Sequence, residues 1–140
     1  MRARKTKPKP LRVLIADDHR LFAEALEAIL ATDERIEVVG QASDGGQAVE
    51  LARKFDPDVV LMDVSMPVLD GFEATAAIRQ LDGPAARTPI IALTASAMHG
   101  DRERCLAAGM DDYITKPVRR AVLSETLRRW VRAASVPLAS

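Results

Sequence analysis

Short apolar runs alternate with longer amphipathic stretches along the chain, the arrangement expected of parallel strands joined by crossover helices. Five strand and helix pairs can be read. Leu11 to Ala16 reads as a central strand, and behind it Leu21, Phe22, Ala25, Leu26, Ile29 and Leu30 form one stripe at the helical period. Ile36 to Gly40 is a short second strand. Ser43-Asp44-Gly45-Gly46 is turn chemistry, and the next helix turns Ala48, Leu51, Ala52 and Phe55 inward until Asp56-Pro57 stops it. Val59 to Asp63 is a third strand. Pro67 and Asp70-Gly71 mark the loop after it, and a helix with Ala74, Ala77, Ile78 and Leu81 inward ends at Asp82-Gly83-Pro84. Pro89 to Thr94 is a fourth strand. The stretch that follows, to Ala108, has a broken apolar stripe and a C-terminal cap at Gly109, so this helix is the least firmly packed. Asp112 to Thr115 is a short fifth strand, and Val118 to Ala133 a last helix placing Ala121, Leu123, Leu127, Trp130 and Val131 near the core.

Four of these strands end on polar residues: Asp17-Asp18, Asp63, Thr94 and Lys116-Pro117. In an open parallel sheet the carboxyl ends of the strands share one edge, where ligands bind. Three carboxylates, a hydroxyl and an ammonium then meet in one pocket. With Asp17, Asp18 and Asp63 about 5 Å apart, each pair repels by roughly 3 kcal/mol at an effective dielectric near 20. Lys116 cancels one charge, and a divalent cation that prefers oxygen ligands meets the rest. Magnesium fits, because carboxylates and retained waters suit its octahedral shell and leave room for a phosphate oxygen. Asp63 is then a candidate nucleophile that forms an aspartyl phosphate. Phosphoryl transfer needs in-line positioning and charge neutralisation, which the metal, Lys116 and Thr94 would supply. Taken singly, Asp17, Asp18 or Thr94 reads as a helix cap and Lys116 as a surface lysine. Their occurrence together at four strand ends favours one phosphoryl site.

Composition bounds the rest. A chain of 140 residues, 48% hydrophobic, is sized for one domain with one proper core. Twenty Lys plus Arg balance twenty Asp plus Glu, so no overall field draws the protein to nucleic acid or a membrane. The single cysteine, Cys105, excludes an internal disulfide and a multi-thiolate zinc site and points to a reducing, cytoplasmic location. Arg2, Arg4, Lys5, Lys7 and Lys9 precede no apolar run that could act as a signal-peptide core, and residues 1–10 read as a basic flexible tail. No segment approaches the roughly 20 apolar residues that cross a bilayer, so no membrane partner is expected.

From about Leu11 to Arg132 the chain resembles the receiver domain of two-component response regulators. The resemblance implies a receiver domain over residues 11–133 followed by a C-terminal tail over 134–140. The implied fold is α/β: a doubly wound, flavodoxin-like (βα)5 unit whose five-stranded parallel sheet has the order 2-1-3-4-5, with helices on both faces. The implied function is phosphorelay signal transduction. Phosphoryl transfer from a phosphohistidine to Asp63 depends on magnesium and switches the surface made by the fourth helix, fifth strand and fifth helix. Such a domain is a self-catalysing phosphoacceptor with autodephosphorylation, not an enzyme acting on a separate substrate.

By that resemblance Asp63 is the phosphoacceptor, Asp18 a direct magnesium ligand, and Asp17 an acidic neighbour acting largely through metal-bound water. The carbonyl of Ser65 completes the protein ligands, and manganese can substitute for magnesium. Thr94 closes on the phosphoryl group, Lys116 pairs with it, and the Lys116-Pro117 bond is cis. Tyr113 falls where the family has an aromatic switch that turns inward as Thr94 moves; its plain reading is a half-buried strand tyrosine. Met66-Pro67 and Asp70-Gly71 fit the family's loop after the phosphoacceptor, and Ser65 and Ser96 stand where the family tunes dephosphorylation. The implied partner is a sensor histidine kinase or a histidine phosphotransfer protein, with pairing of two copies through the last helix as a further expectation.

The two halves resemble different branches. Asp17 to Gly45, with Asp-Asp-His-Arg-Leu-Phe and Glu-Val-Val-Gly-Gln-Ala-Ser-Asp-Gly, is similar to receivers that precede a helix-turn-helix domain. From Met66 onward, Met-Pro-Val-Leu-Asp-Gly-Phe-Glu-Ala-Thr and Ala-Leu-Thr-Ala-Ser-Ala-Met are more like receivers of hybrid sensor kinases. After Pro117 there is room for one helix and a short tail, too little for a DNA-binding helical domain, so the chain reads as a stand-alone receiver or a piece of a longer protein.

Two rival functions stay open on the residues alone: a small aspartyl-phosphate phosphatase or phosphotransferase, and a receiver-like interaction module. Against the first, no long insertion caps the pocket and Ser65, not an acid, stands two residues after Asp63. His19 lacks the companion nitrogen or sulfur donors of a transition-metal site, and His99 is read as exposed. Cys105 is expected to pack beside Ala108, a surface thiol being the alternative. Arg119, Arg120, Arg128, Arg129 and Arg132 make the last helix basic, which reads as a solvated face, and direct DNA binding is not expected. Gly45-Gly46 lacks the spacing of a dinucleotide or Walker loop, so no nucleotide cofactor is implied.

Overall fold

The computed structural model describes residues 9–95 and 101–134; Ser96, His99 and the side chains of Val131 and Arg132 lie outside the described residues. Five strands, β1 (Leu11–Ala16), β2 (Ile36–Ala42), β3 (Val59–Asp63), β4 (Ile90–Thr94) and β5 (Asp112–Thr115), form one parallel sheet in the order β2-β1-β3-β4-β5. The crossovers run through α1 (Arg20–Ala31), α2 (Gly45–Phe55), α3 (Gly71–Arg79) and α4 (Asp101–Ala107), and α5 (Arg120–Ala134) closes the fold. Chain order reverses between β1 and β3, and that reversal opens a crevice at the carboxyl edge. The doubly wound (βα)5 architecture is the one the resemblance implied.

The strands alternate their side chains between two cores. Leu14, Ala16, Val60, Met62, Ile90 and Ala92 face α2, α3 and α4, whose Ala48, Ala52, Ala74, Ile78 and Cys105 are buried against them. Val13, Ile15, Val59, Leu61, Ile91 and Leu93 face α1 and α5, which contribute Ala23, Leu26, Leu30, Leu123 and Leu127. Both faces of the central strands are covered, which is why they read as continuous apolar runs. Cys105 is buried in the first core, so the packed reading of that thiol holds.

Several sequence expectations change at the margins. Leu21 is 81% exposed and Ala25 is also exposed, because the buried stripe of α1 is centred on Ala23, Leu26 and Leu30 and at about 100° per residue both fall on the opposite side of the helix. Ala121 is exposed too, lying on the side of α5 opposite Leu123, Leu127 and Trp130; Thr126 is buried instead. β2 extends to Ala42 and carries an extra residue between the pairs Val13–Val38 and Leu14–Gly40, a bulge at the sheet edge where bulges are commonest. Asp82 to Thr88 is not plain loop: Pro84–Arg87 forms one 3-10 turn with Pro at its start.

Local chemistry sets the helix ends that matter for the site. Asp70 and Glu73 form a reciprocal capping box at the start of α3, with bonds of 2.8 and 2.9 Å. Asp44 caps α2 by accepting from the Gln47 N–H. Among the described residues no helix is long and apolar enough to cross a membrane.

Candidate functional site

The ends of β1, β3, β4 and β5 meet at the crevice between β1 and β3. Asp17 directly follows β1, and its side chain is fully buried; its Oδ1 accepts from the His19 N–H at 2.8 Å. That bond stands in place of a helix cap: His19 occupies the cap position of α1 and no side chain caps it. Asp18 is exposed at the rim. Asp63 ends β3 and is buried, with its Oδ1 accepting from the Ser65 N–H at 3.3 Å.

Lys116 is positioned from both sides. Its backbone N–H donates to the Thr94 carbonyl at 2.7 Å, which ties the loop after β5 to the end of β4. Its ammonium lies 3.0 Å from Asp17 Oδ2 and 3.6 Å from Asp63 Oδ1, and 4.4 Å from the centre of the Phe22 ring. The aromatic face adds attraction for the cation and shields one side of it from water. The Lys116–Pro117 peptide is cis.

The electrostatics leave a deficit of positive charge. Three carboxylates and one ammonium sum to −2. Burial pushes the Asp63 carboxyl above its ordinary range, and the Asp17 charge pushes it further, while Lys116 and the Ser65 N–H pull it back. Asp17 Oδ2 is buried and accepts no hydrogen bond, although the Lys116 ammonium is close enough to pair with it. Apart from that ion pair, no donor among the described residues reaches this oxygen. Asp17, Asp18, His19 and Asp63 each offer one donor atom, all within 4.8 Å of one another. Hard carboxylate oxygens with a net negative charge and an under-coordinated buried atom fit a divalent cation such as magnesium.

Thr94 ends β4 and is buried. It lines, with Asp63, Ser65, Phe72, Arg104 and Lys116, a cleft of about 380 Å³. Tyr113 pairs with Ala92 across the sheet, half-buried against the first core and outside that lining. The structure therefore gathers Asp17, Asp18, Asp63, Thr94, Ser65 and Lys116 at one place and leaves Tyr113, on β5 three residues before Lys116, outside the cleft lining.

Three participants were not legible as such in the sequence. Phe22 belongs to an apolar stripe and reads as core, yet its ring seats the Lys116 ammonium. His19 has no companion nitrogen or sulfur donor to mark it in the sequence, yet its Nδ1 lies 3.6 Å from Asp17 and 3.5 Å from Asp18. Arg104 sits in the weakly patterned α4, where only the fold shows that its guanidinium lies over Phe72, 4.7 Å from the ring centre.

Residues 13–128 match the family model described as the response regulator receiver domain. The chain belongs to this family. Its receiver fold is shared with the solved receiver domain of the sensor histidine kinase PA1611 from Pseudomonas aeruginosa PAO1, which holds a magnesium ion in its active-site cleft. The two are 43% identical with a TM-score of 0.79, over 88% of this chain and 98% of that one. The chemotaxis protein CheY of Halobacterium salinarum is 35% identical over 116 residues, 83% of this chain and 92% of that protein. Hybrid signal transduction histidine kinase G of Dictyostelium discoideum is 37% identical over 125 residues, and there the receiver spans 89% of this chain but 4% of the kinase. The receiver thus covers a small part of such hybrid kinases and nearly all of CheY.

Proposed function

We propose that this receiver accepts a phosphoryl group on Asp63 from the phosphohistidine of a sensor histidine kinase or a histidine phosphotransfer protein. The observation that carries this reading is the arrangement around Asp63: a buried carboxylate in a −2 cluster, with one ammonium 3.6 Å away and a cleft open beside it. An oxygen of Asp63 attacks phosphorus, the phosphorus–nitrogen bond breaks, and the electron pair returns to the imidazole. Asp18, Asp63 and the Ser65 carbonyl would hold magnesium directly, and Asp17 through water, as the magnesium in the cleft of the PA1611 receiver supports. When bound, the cation neutralises charge on the transferring oxygens; manganese, also a hard octahedral ion, is expected to substitute.

This chain's own groups do the rest. Lys116 is held by Phe22 and Asp17 so that its charge faces the incoming oxygens without reorganisation. The Thr94 hydroxyl at the end of β4 closes on the phosphoryl group, and Tyr113 turns inward as it moves. The affected surface is that of α4, β5 and α5. Leu21, 81% exposed at the first turn of α1, offers the donor protein an apolar contact. Autodephosphorylation by water follows at a rate set partly by Ser65. The setting is a cytoplasmic phosphorelay, and α5 is the face for pairing of two copies.

Intact-mass measurement after incubation with magnesium and acetyl phosphate tests the reading. The native chain should gain one phosphoryl group, lost on chelation of the metal before donor is added and absent in Asp63→Asn. Full labelling of Asp63→Asn would overturn it, and so would continuous turnover of donor without any labelled protein.

A further inference from the structure

The cleft beside Asp63 has a second cation that the reaction as described leaves unused. Arg104, on α4, lines it together with Asp63, Thr94 and Lys116. Its guanidinium lies over Phe72 with the central carbon 4.7 Å from the ring centre, so one face is covered by an aromatic ring contributed by α3.

Arg79 makes five hydrogen bonds, and Arg12, Arg20, Arg35, Arg53 and Arg129 each bond a carboxylate or carbonyl, whereas among the described residues the guanidinium groups of Arg87, Arg102, Arg119, Arg120 and Arg128 bond neither and line no part of this cleft. Among the described residues, no carboxylate or carbonyl pairs with Arg104. Among the described residues its planar set of donors is held by stacking on Phe72, in the lining of the cleft that also contains the nucleophile. A guanidinium presents its donors as a fork that matches two oxygens of one phosphate.

We propose that Arg104 is a phosphodonor-binding residue of this receiver: it engages the non-transferring oxygens or the anionic leaving group of the incoming donor. This rests on the phosphoacceptor reading of Asp63. With acetyl phosphate, the Asp63 oxygen–phosphorus bond forms, the phosphorus–oxygen bond to the acetyl group breaks, and the electron pair leaves as acetate. Arg104 supplies charge to that anion and to the donor before transfer, while Lys116 and the metal act nearer the reacting phosphorus. The ligand class is a dianionic acyl phosphate. Phosphoramidate, which carries less negative charge and releases neutral ammonia, should depend on Arg104 less.

The test is autophosphorylation kinetics of the full chain in saturating magnesium with both donors, at several salt concentrations. Arg104→Ala should lower the second-order rate constant with acetyl phosphate about tenfold, mainly through weaker donor saturation, and flatten its salt dependence. With phosphoramidate the loss should be about twofold. Arg104→Lys should recover part of the acetyl phosphate rate, and Phe72→Leu should give an intermediate loss by freeing the stack. Equal losses with the two donors, or none with either, would overturn the proposal. Labelling of Asp63 in the native chain is scored separately, so failure of the phosphoacceptor reading appears as no label in any variant, whereas failure of this proposal appears as normal labelling that ignores position 104.

Discussion

Gly71, the first residue of α3, lies against the backbone of Asp63: a methyl group at Gly71 would stand 2.3 Å from the Asp63 carbonyl oxygen and 2.7 Å from Val64 Cα. The Gly71 N–H also donates to the Val64 carbonyl at 3.0 Å. Helix α3 is thus seated directly on the segment that aims the Asp63 side chain. The obstructing atoms are backbone, so they have no rotamer by which to escape.

Gly71→Ala is therefore expected to push Asp63 from its place and to cost about 1–3 kcal/mol, the usual range for overpacking. Chemical denaturation should show a lower midpoint, and phosphoryl labelling should fall by more than the loss of folded protein explains. Labelling at the native rate would mean that the contact does not position Asp63.

The charge state of Asp63 couples stability to pH. Burial and Asp17 raise its carboxyl above the ordinary range, so between the unfolded and the raised folded value the native state binds more protons. Stability from this group consequently falls as pH rises through that window, and the loss persists at neutral pH. Without metal, Asp63→Asn should be more stable than the native chain by about 1 kcal/mol at neutral pH, an advantage that shrinks in acid once the native carboxyl is protonated. Added magnesium should narrow the gap by stabilising the native chain more than the variant. Thermal melts at two pH values with and without metal decide it; a variant less stable at neutral pH would contradict the account.

Val68 carries a φ of +71°, and the Leu69 N–H donates back to the Pro67 carbonyl at 2.8 Å, the pattern of a tight three-residue turn. A β-branched residue is strained in that region, and Val68 is 77% exposed, so packing returns little. Val68→Gly should stabilise the fold by about 1 kcal/mol, the relief of strain exceeding the added freedom of the unfolded chain. Equilibrium unfolding in urea measures this, with destabilisation as the contrary result.

Arg79 joins α3 to the segments before β4 and β5. Its guanidinium donates to the carbonyls of Gly109 at 3.0 and 2.7 Å, Ala86 at 3.0 Å and Thr88 at 2.7 Å, and to Asp111 Oδ2 at 2.9 Å. Asp111 Oδ2 in turn accepts from the Ile90 N–H at 2.8 Å. Arg79→Ala leaves several part-buried acceptors unpaired and should cost about 3 kcal/mol. Lysine should restore less than half of that, because a single ammonium does not span the three segments. A calorimetric melt of the three proteins checks both statements.

The strands and their order of polar endings were legible in the chain because burial on both faces makes each central strand a continuous apolar run and forces polarity to the end of the run. That pattern by itself places Asp17, Asp18, Asp63, Thr94 and Lys116 at one sheet edge. The helices read less well at their margins: an apolar or small residue at Leu21, Ala25 or Ala121 looks the same in sequence on either flank of a stripe, and only the neighbouring layer decides which flank is covered. Nor does Arg79 announce itself, since its acceptors are backbone carbonyls, which every residue carries.

By itself, then, the sequence determined the alternation of strand and helix, the two-sided core and the set of charged groups that collects at the carboxyl edge, because periodicity and charge are properties of single segments. Tertiary structure alone decided that Phe22 seats Lys116, that Gly71 braces Asp63 and that Arg104 stacks on Phe72 over the cleft. Each of those is a contact between segments far apart in the chain, and its existence depends on distances of a few ångströms that no local pattern encodes.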